Sequence, residues 1–217
     1  MKLLVTWPLA AKGDGWPSQC VPYHLALHGW CVKHDVPAMT LRGYLDENRN
    51  QALLLARQMD CTHVAMLDGD HQHPPETLER LWQHAQDDPT RMVVAGVAPQ
   101  AEGIHRPMFG IISGPPDKPR RTPITQWGVG QLVSCDWTAV CAAVISVKVM
   151  QLWPKPWFWF SYDKAGRWTT EDINFCDGLW RHEEPVYVDT GLVLPHRSEH
   201  YVGLEDWRRE SGRGGEE

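Results

Sequence analysis

Positive charge is not in excess in this chain. Its 21 Lys and Arg face 27 Asp and Glu, for a formal charge of -6. That excludes a polybasic protein held on DNA or a membrane by bulk charge, though not a local basic patch. No apolar run approaches the roughly 20 residues of a membrane-spanning helix. The longest candidate, Ala139 to Met150, is interrupted by Ser146 and Lys148. The opening Met1 to Val5 resembles the start of a signal peptide, but Trp7 and Pro8 break it, so it reads as a first strand. The six cysteines, at 20, 31, 61, 135, 141 and 176, contain no Cys-x-x-Cys pair, which argues against a structural zinc site. Nothing marks a secretory context, so buried thiols in a reducing, cytoplasmic compartment are expected rather than disulfides. Internal repeats are also missing.

What is present suits one domain. The 217 residues are 42% hydrophobic, and a chain of this size buries about 70% of its unfolded surface without staples. The first half alternates. Lys2 to Thr6 reads as a strand, and Pro17 to His34 as a helix with apolar residues Val21, Leu25, Leu27, Cys31 and Val32. Val36 to Leu41 is a second strand, and Asp46 opens a helix with the stripe Ala52, Leu55, Ala56 and Met59. Thr62 to Leu67 is a strand ending in Asp68-Gly69-Asp70. A helix with Leu78, Leu81, Trp82 and Ala85 on one face follows, then a strand over Arg91 to Val97. This βαβαβαβ order predicts an α/β fold, a mostly parallel sheet flanked by helices, with ligands outside the strands' carboxyl ends.

After Pro99 the pattern changes. Residues 101–131 are rich in Gly and Pro and carry His105, Arg106, Lys118, Arg120 and Arg121, which reads as a long loop with one or two short strands. An apolar block, Leu132 to Met150, precedes Pro156-Trp157-Phe158-Trp159-Phe160. Thr170-Glu171-Asp172 then opens a helix with Ile173, Cys176, Leu179 and Trp180 inward. A late strand over Val186 to Val188 leads to His196, and residues 206–217 read as a polar, disordered tail. The 12 tryptophans concentrate in the second half. They suit core packing or stacking on a sugar or base.

Asp68-Gly69-Asp70 is a hard-oxygen site after a buried strand, suited to Mg2+ or Mn2+ shared with phosphate oxygens. It is equally a good turn sequence. Thr170 with Glu171 and Asp172 is good helix-capping electrostatics, or a carboxylate placed as general base. A lone His196 is a packing residue or a metal ligand. His71 and His73 beside the acids invite a zinc reading that lacks a third ligand of clear spacing.

Together and in this order, these segments resemble GT-A glycosyltransferases. The carrying residues are Arg49-Asn50-Gln51-Ala52, His63 to Asp70, Pro156-Trp157-Phe158, Thr170 to Cys176, and Val188-Asp189 through His196. The chain looks most like small, single-domain, family-2-like transferases of bacteria and bacteriophages, over about residues 1 to 200. The resemblance implies one GT-A catalytic domain over 1–205, with a nucleotide-sugar half at 1–97 and an acceptor half at 98–205. It implies Asp68, Asp70 and His196 around Mn2+ or Mg2+. Arg49 would face the nucleotide or its diphosphate, and Thr6, Pro8, Asp68 and Gly69 the nucleotide or its phosphates. Asp172 would be the general base of an inverting enzyme, with Glu171 holding the acceptor or the base. The donor would be a nucleotide-diphosphate sugar, most simply a UDP-sugar. The acceptor hydroxyl would belong to a glycan or, as in phage DNA modification, to a hydroxymethyl-pyrimidine, with Trp137 and Arg106 on the acceptor side. Relatives often carry a Gly-rich segment where this chain reads Trp137-Thr138-Ala139-Val140-Cys141, which would narrow that side.

Two other readings stand beside it. A nucleotidyltransferase also wants paired acids at a strand end, but Ala11-Lys12-Gly13-Asp14-Gly15 is a poor phosphate loop. A non-catalytic module that keeps the fold is disfavoured by the full set of acids and His196. The basic loop and Arg208, Arg209 and Arg213 are candidates for tracking DNA phosphates.

Overall fold

Three strands of the main sheet are buried from end to end among the described residues, and they form its middle. They are β3 (His63–Leu67), β4 (Val93–Val97) and β9 (Ala142–Ser146). Near-continuous apolar runs of this kind are what a sheet covered on both faces requires. The computed structural model describes residues 1–10, 20–100, 106–162, 166, 168–197 and 201–202. The stretch 11–15, His105 and the tail with Arg208, Arg209 and Arg213 lie outside the described residues.

The first half follows the expected alternation. β1 (Leu3–Ala10), α1 (Val21–Lys33), β2 (Ala38–Gly43), α2 (Leu45–Gln58), β3, α3 (Thr77–Asp87) and β4 succeed one another. The second half adds β5 (Phe109–Ser113), β6 (Arg120–Pro123), β7 (Leu132–Cys135), β8 (Trp137–Thr138), β9 and a short 3-10 turn over Val147–Gln151. β10 (Ser161–Tyr162), β11 (Trp168–Thr169), α4 (Glu171–Arg181), β12 (Val186–Val193), β13 (His196–Arg197) and β14 (Tyr201–Val202) complete the described elements.

The seven-stranded sheet runs β2-β1-β3-β9-β4-β12-β7. The pairs β1–β2, β1–β3 and β4–β12 are parallel, while β9 and β7 run antiparallel to their neighbours. The mostly parallel sheet is as expected, and β9 from the apolar block inserts antiparallel between β3 and β4. Five strands still share one direction, so the carboxyl ends of β1, β3, β4 and β12 open on one edge.

Two apolar clusters cover the two faces. Ala52, Leu53 and Ala56 of α2 join Phe175, Cys176 and Leu179 of α4 on one. Leu27 and Cys31 of α1 join Leu78, Leu81 and Ala85 of α3 on the other. Alternation along β1 follows this division, with Leu4 facing the first cluster and Leu3, Val5 and Trp7 the second. α1 is rotated from its sequence reading: His24, Leu27 and Cys31 are buried, whereas Leu25 and Val32 are exposed. Its inner face is fixed by His24, whose ring reaches the Gly69 carbonyl at 3.2 Å. All six cysteines are buried free thiols. Burial pushes Cys31 up to about 11 and Cys135 to about 12, which keeps them protonated and unreactive.

The long loop contains the two short strands expected of it, and β6-β5-β8 form a separate three-stranded sheet. Gly110 of β5 sits where this sheet is tightest. A Cβ there would lie 2.1 Å from the Thr122 carbonyl oxygen and 2.7 Å from Trp137 Nε1. Gly110→Ala is expected to lower stability by about 1–3 kcal/mol through overpacking, read as a lower melting temperature with the fold retained.

Candidate functional site

β3 ends at Leu67, and the chain turns through Asp68-Gly69-Asp70-His71 at the open edge of the sheet. This turn is pinned at many points. Asp68 N–H donates to the Cys141 carbonyl at 2.7 Å, and Gln72 N–H to the Pro195 carbonyl at 3.0 Å. His73 Nε2 lies 2.7 Å from the Asp68 carbonyl. Burial pushes His73 down to about 3, so it is neutral and donates its Nε2–H there. His71 and His196 form an isolated antiparallel bridge. The late histidine is thereby stitched to the acidic turn by backbone.

Asp70 and His196, 126 residues apart in sequence, meet with Nε2 3.4 Å from Oδ2. His71 Nδ1 lies 2.9 Å from the other Asp70 oxygen, and the two imidazoles stack at 4.2 Å. The ligand atoms of Asp70, His71 and His196 all lie within 4.8 Å of one another. Among the described residues, buried His71 Nε2 has no hydrogen-bond partner. Burial alone would raise Asp70, but the two histidines outweigh it and hold the carboxyl far below the usual range. Burial lowers His71, leaving it neutral, whereas His196 is raised because Asp70 overcomes its burial.

Asp68 takes a different place. Arg49 Nη2 donates to both of its oxygens at 2.9 Å, and Arg49 Nη1 lies 3.0 Å from Glu171 Oε1. The guanidinium also sits 5.7 Å from the Phe158 ring centroid. Burial pushes Asp68 up to about 7 even though Arg49 opposes the shift. The sign follows: the folded state holds this proton longer than the unfolded chain, so Asp68 makes folding less favourable as pH rises from about 4 to about 7. Glu171 is also raised by burial, against the pull of Arg49.

Asp172, beside Glu171 at the start of α4, accepts from the Thr170 hydroxyl and from the Ile173 N–H at 2.7 Å. Both bonds fall on Oδ1 and fix the plane of the carboxylate. Below it, Asn50 clamps the aromatic segment. Its Oδ1 accepts from Trp157 N–H at 2.8 Å and its amide donates to the Phe158 carbonyl at 2.6 Å. Phe158 stacks on Phe175 of α4 at 4.2 Å. The motifs quoted from distant stretches thus meet around α2 and α4.

Arg49 is buried and engaged by Asp68 and Glu171, so it braces the site instead of facing open space. Glu171 is buried, with Oε1 paired to Arg49 Nη1 at 3.0 Å. Thr6 is buried inside the sheet, its hydroxyl donating to the Ala65 carbonyl at 3.1 Å, and only Pro8 is partly open. Trp137 is a core residue, buried with Phe109 and Ile112, because β8 pairs with β5 and turns the indole inward. Arg106 is exposed, but Arg121 of the basic loop is paired with Asp177 of α4. Asp189 is buried under Arg80, at 2.7 and 2.9 Å, and His84, at 3.0 Å, so it ties α3 to β12. The sequence shows His71 only as a neighbour of Asp70; its stacking on His196 comes from the fold.

Residues 42–135 match the sequence family Glycosyl transferase family 2. The match contains Arg49 and Asp68 to Asp70 and stops before Glu171, Asp172 and His196. No curated protein sequence matches the chain. Among solved structures, A197 from STIV is similar at TM-score 0.57 and 16% identity, over 94% of this chain and 90% of that one. GalNAc-T7, solved with UDP, GalNAc and Mn2+, is similar at TM-score 0.53 and 11% identity. That likeness covers 97% of this chain but only 47% of GalNAc-T7. The sheet order, the acidic turn after β3 and these likenesses agree: the chain has a GT-A fold, and its residues 42–135 carry the Glycosyl transferase family 2 match.

Proposed function

We propose that the chain transfers a sugar from a nucleoside diphosphate donor, a UDP-sugar first among them, with a divalent cation held by Asp70, His196 and His71. The observation that carries this is the meeting of Asp70 and His196 at the carboxyl edge of the sheet, 3.4 Å apart. The donor set fits the ion: one carboxylate and two imidazoles offer ligand atoms that all lie within 4.8 Å of one another. Imidazole donors favour a transition ion, so Mn2+ suits this set better than Mg2+. The bound cation would neutralise charge developing on the departing diphosphate. Asp68 lies beside it, held by Arg49, on the side where the ribose or the same ion would sit. Gly69 leaves room for phosphate oxygens next to it, and Pro8 borders the neighbouring end of β1.

Asp172 is the general base in this reading, taking the acceptor proton opposite the leaving group and giving inversion. Its orientation by Thr170 and Ile173 supports that role. The donor then lies over the 1–97 half and the acceptor against the 98–205 half of one catalytic domain. A panel of UDP-, GDP- and dTDP-sugars with Mn2+, followed for nucleotide release, tests the function without knowledge of the acceptor. Pyrophosphate release from a nucleoside triphosphate and a sugar phosphate would instead indicate a nucleotidyltransferase. Asp172→Asn is expected to reduce transfer about 10²- to 10⁴-fold, the range for losing a general base, with donor affinity kept. Retained transfer in this variant would remove Asp172 from the role. An anomer-resolved NMR spectrum of the product checks inversion.

A further inference from the structure

His71 belongs to two sets of metal-ligating side chains, and the donor chemistry uses one of them. In the other, the ligand atoms of Asp68, His71 and Cys141 also lie within 4.8 Å of one another. Strand pairing brings the thiol there. β9 runs antiparallel to β3 with Ala142 opposite Leu67, and the next residue along β3, Asp68, donates its N–H to the Cys141 carbonyl at 2.7 Å. The zinc reading invited by His71 lacked a third ligand in the sequence, and the fold supplies one from the edge of β9.

The imidazole is already oriented for a metal. His71 Nδ1 lies 2.9 Å from Asp70 Oδ1. A carboxylate only accepts, so Nδ1 carries the proton and Nε2 the lone pair. His71 is 1% exposed, and among the described residues its buried Nε2 has no hydrogen-bond partner. A carboxylate behind one ring nitrogen, with the other left free, is how a ligating histidine is held. Asp68 keeps acceptor capacity as well. Arg49 takes one bond on each of its oxygens, and a carboxylate offers about four lone-pair sites.

We propose that Asp68, His71 and Cys141 bind a thiophilic divalent ion, Zn2+ first among them, and that this ion displaces Mn2+ by taking His71 from the Asp70–His196 set. The soft donor decides the ion, since thiolate selects Zn2+ whereas Mn2+ and Mg2+ prefer oxygen. As the Zn–S bond forms, the Cys141 S–H proton leaves to solvent. A tetrahedral zinc site spaces sulfur and nitrogen by roughly 3.6 Å, so closing from 4.8 Å takes about 1 Å of side-chain movement. Water completes the shell. One imidazole lone pair cannot serve two ions, so the two sets exclude each other. Binding at the thiol is independent of the transferase reading, and only the displacement of Mn2+ rests on it.

The metal-free full chain is titrated with Co2+, whose bond to thiolate gives a charge-transfer band in the near ultraviolet, and with Zn2+ by calorimetry. Cys141→Ala and Cys141→Ser are treated alike, with Cys31→Ser as the control for the other buried thiols and thermal melts to check folding. Wild type and Cys31→Ser are expected to show the band. Both Cys141 variants should lose it and bind Zn2+ at least ~10-fold more weakly. No band in wild type, or a band that survives in the folded Cys141 variants, overturns the proposal. Mn2+-dependent UDP binding is then followed as Zn2+ is added, and Cys141→Ala should need at least ~10-fold more Zn2+ than wild type to lose it. Equal Zn2+ sensitivity in the two proteins overturns the displacement. No Mn2+-dependent UDP binding at all would instead refute the transferase reading, and the cobalt band is read independently of it.

Discussion

Replacing Asp70 with alanine is expected to abolish donor turnover, by about 10³-fold or more, without unfolding the protein. The size follows from what is removed. Asp70 is the carboxylate at the centre of the proposed ligand set, contacted by His71 at 2.9 Å and His196 at 3.4 Å. Its loss takes away both a negative ligand and the group that orients two imidazoles, and developing diphosphate charge then has no counter-ion. Its side chain is 52% exposed, so deletion leaves no cavity in the core. The measurements are Mn2+-dependent UDP binding by calorimetry and UDP release from the donor. Full turnover by Asp70→Ala in metal-free buffer would refute the metal assignment. Weak turnover restored by excess Mn2+ would agree with it.

Arg49→Met should have the largest effect on stability. The guanidinium is 3% exposed and is the counter-charge for Asp68 and Glu171. A buried pair broken on one side leaves carboxylates without a partner, at a cost of about 3–5 kcal/mol. For a protein of this size that lowers the melting temperature by roughly 6–20 °C. The loss should shrink at pH 5, because Asp68 and Glu171, already raised by burial, can then take up protons and bury neutral groups. Thermal melts of wild type and variant at pH 7.5 and pH 5 check both the size and the sign. A variant melting within a degree or two of wild type at both values would mean the acids find other partners. Arg49 joins the end of β3 to the start of α4 through Asp68 and Glu171, and so positions the neighbouring Asp70 and Asp172 relative to each other.

Much of this protein was legible along the chain. The order β1-α1-β2-α2-β3-α3-β4 follows from local periodicity, and so does the placing of an acidic turn at a strand end, because those patterns are set by neighbours in sequence. Asp68-Gly69-Asp70, Thr170-Glu171-Asp172 and His196 could be picked out for the same reason: each is a short signal with its own local chemistry. Long-range pairing decided the rest. An apolar run such as Ala142–Ser146 does not say where it enters a sheet, and its insertion between β3 and β4 is a property of the finished packing. Trp137 and Trp168 are the same residue type in the same half of the chain. Strand pairing buries one beside Phe109 and leaves the other exposed near α4. Arg49 could have faced a phosphate as well as a carboxylate. Only the approach of α4 to α2, bringing Glu171 within 3.0 Å, commits its charge to the interior. The sequence by itself determined which groups are available and the class of fold that carries them. The tertiary structure decided which of those groups share a desolvated space, because burial and partner charge arise only when distant segments meet.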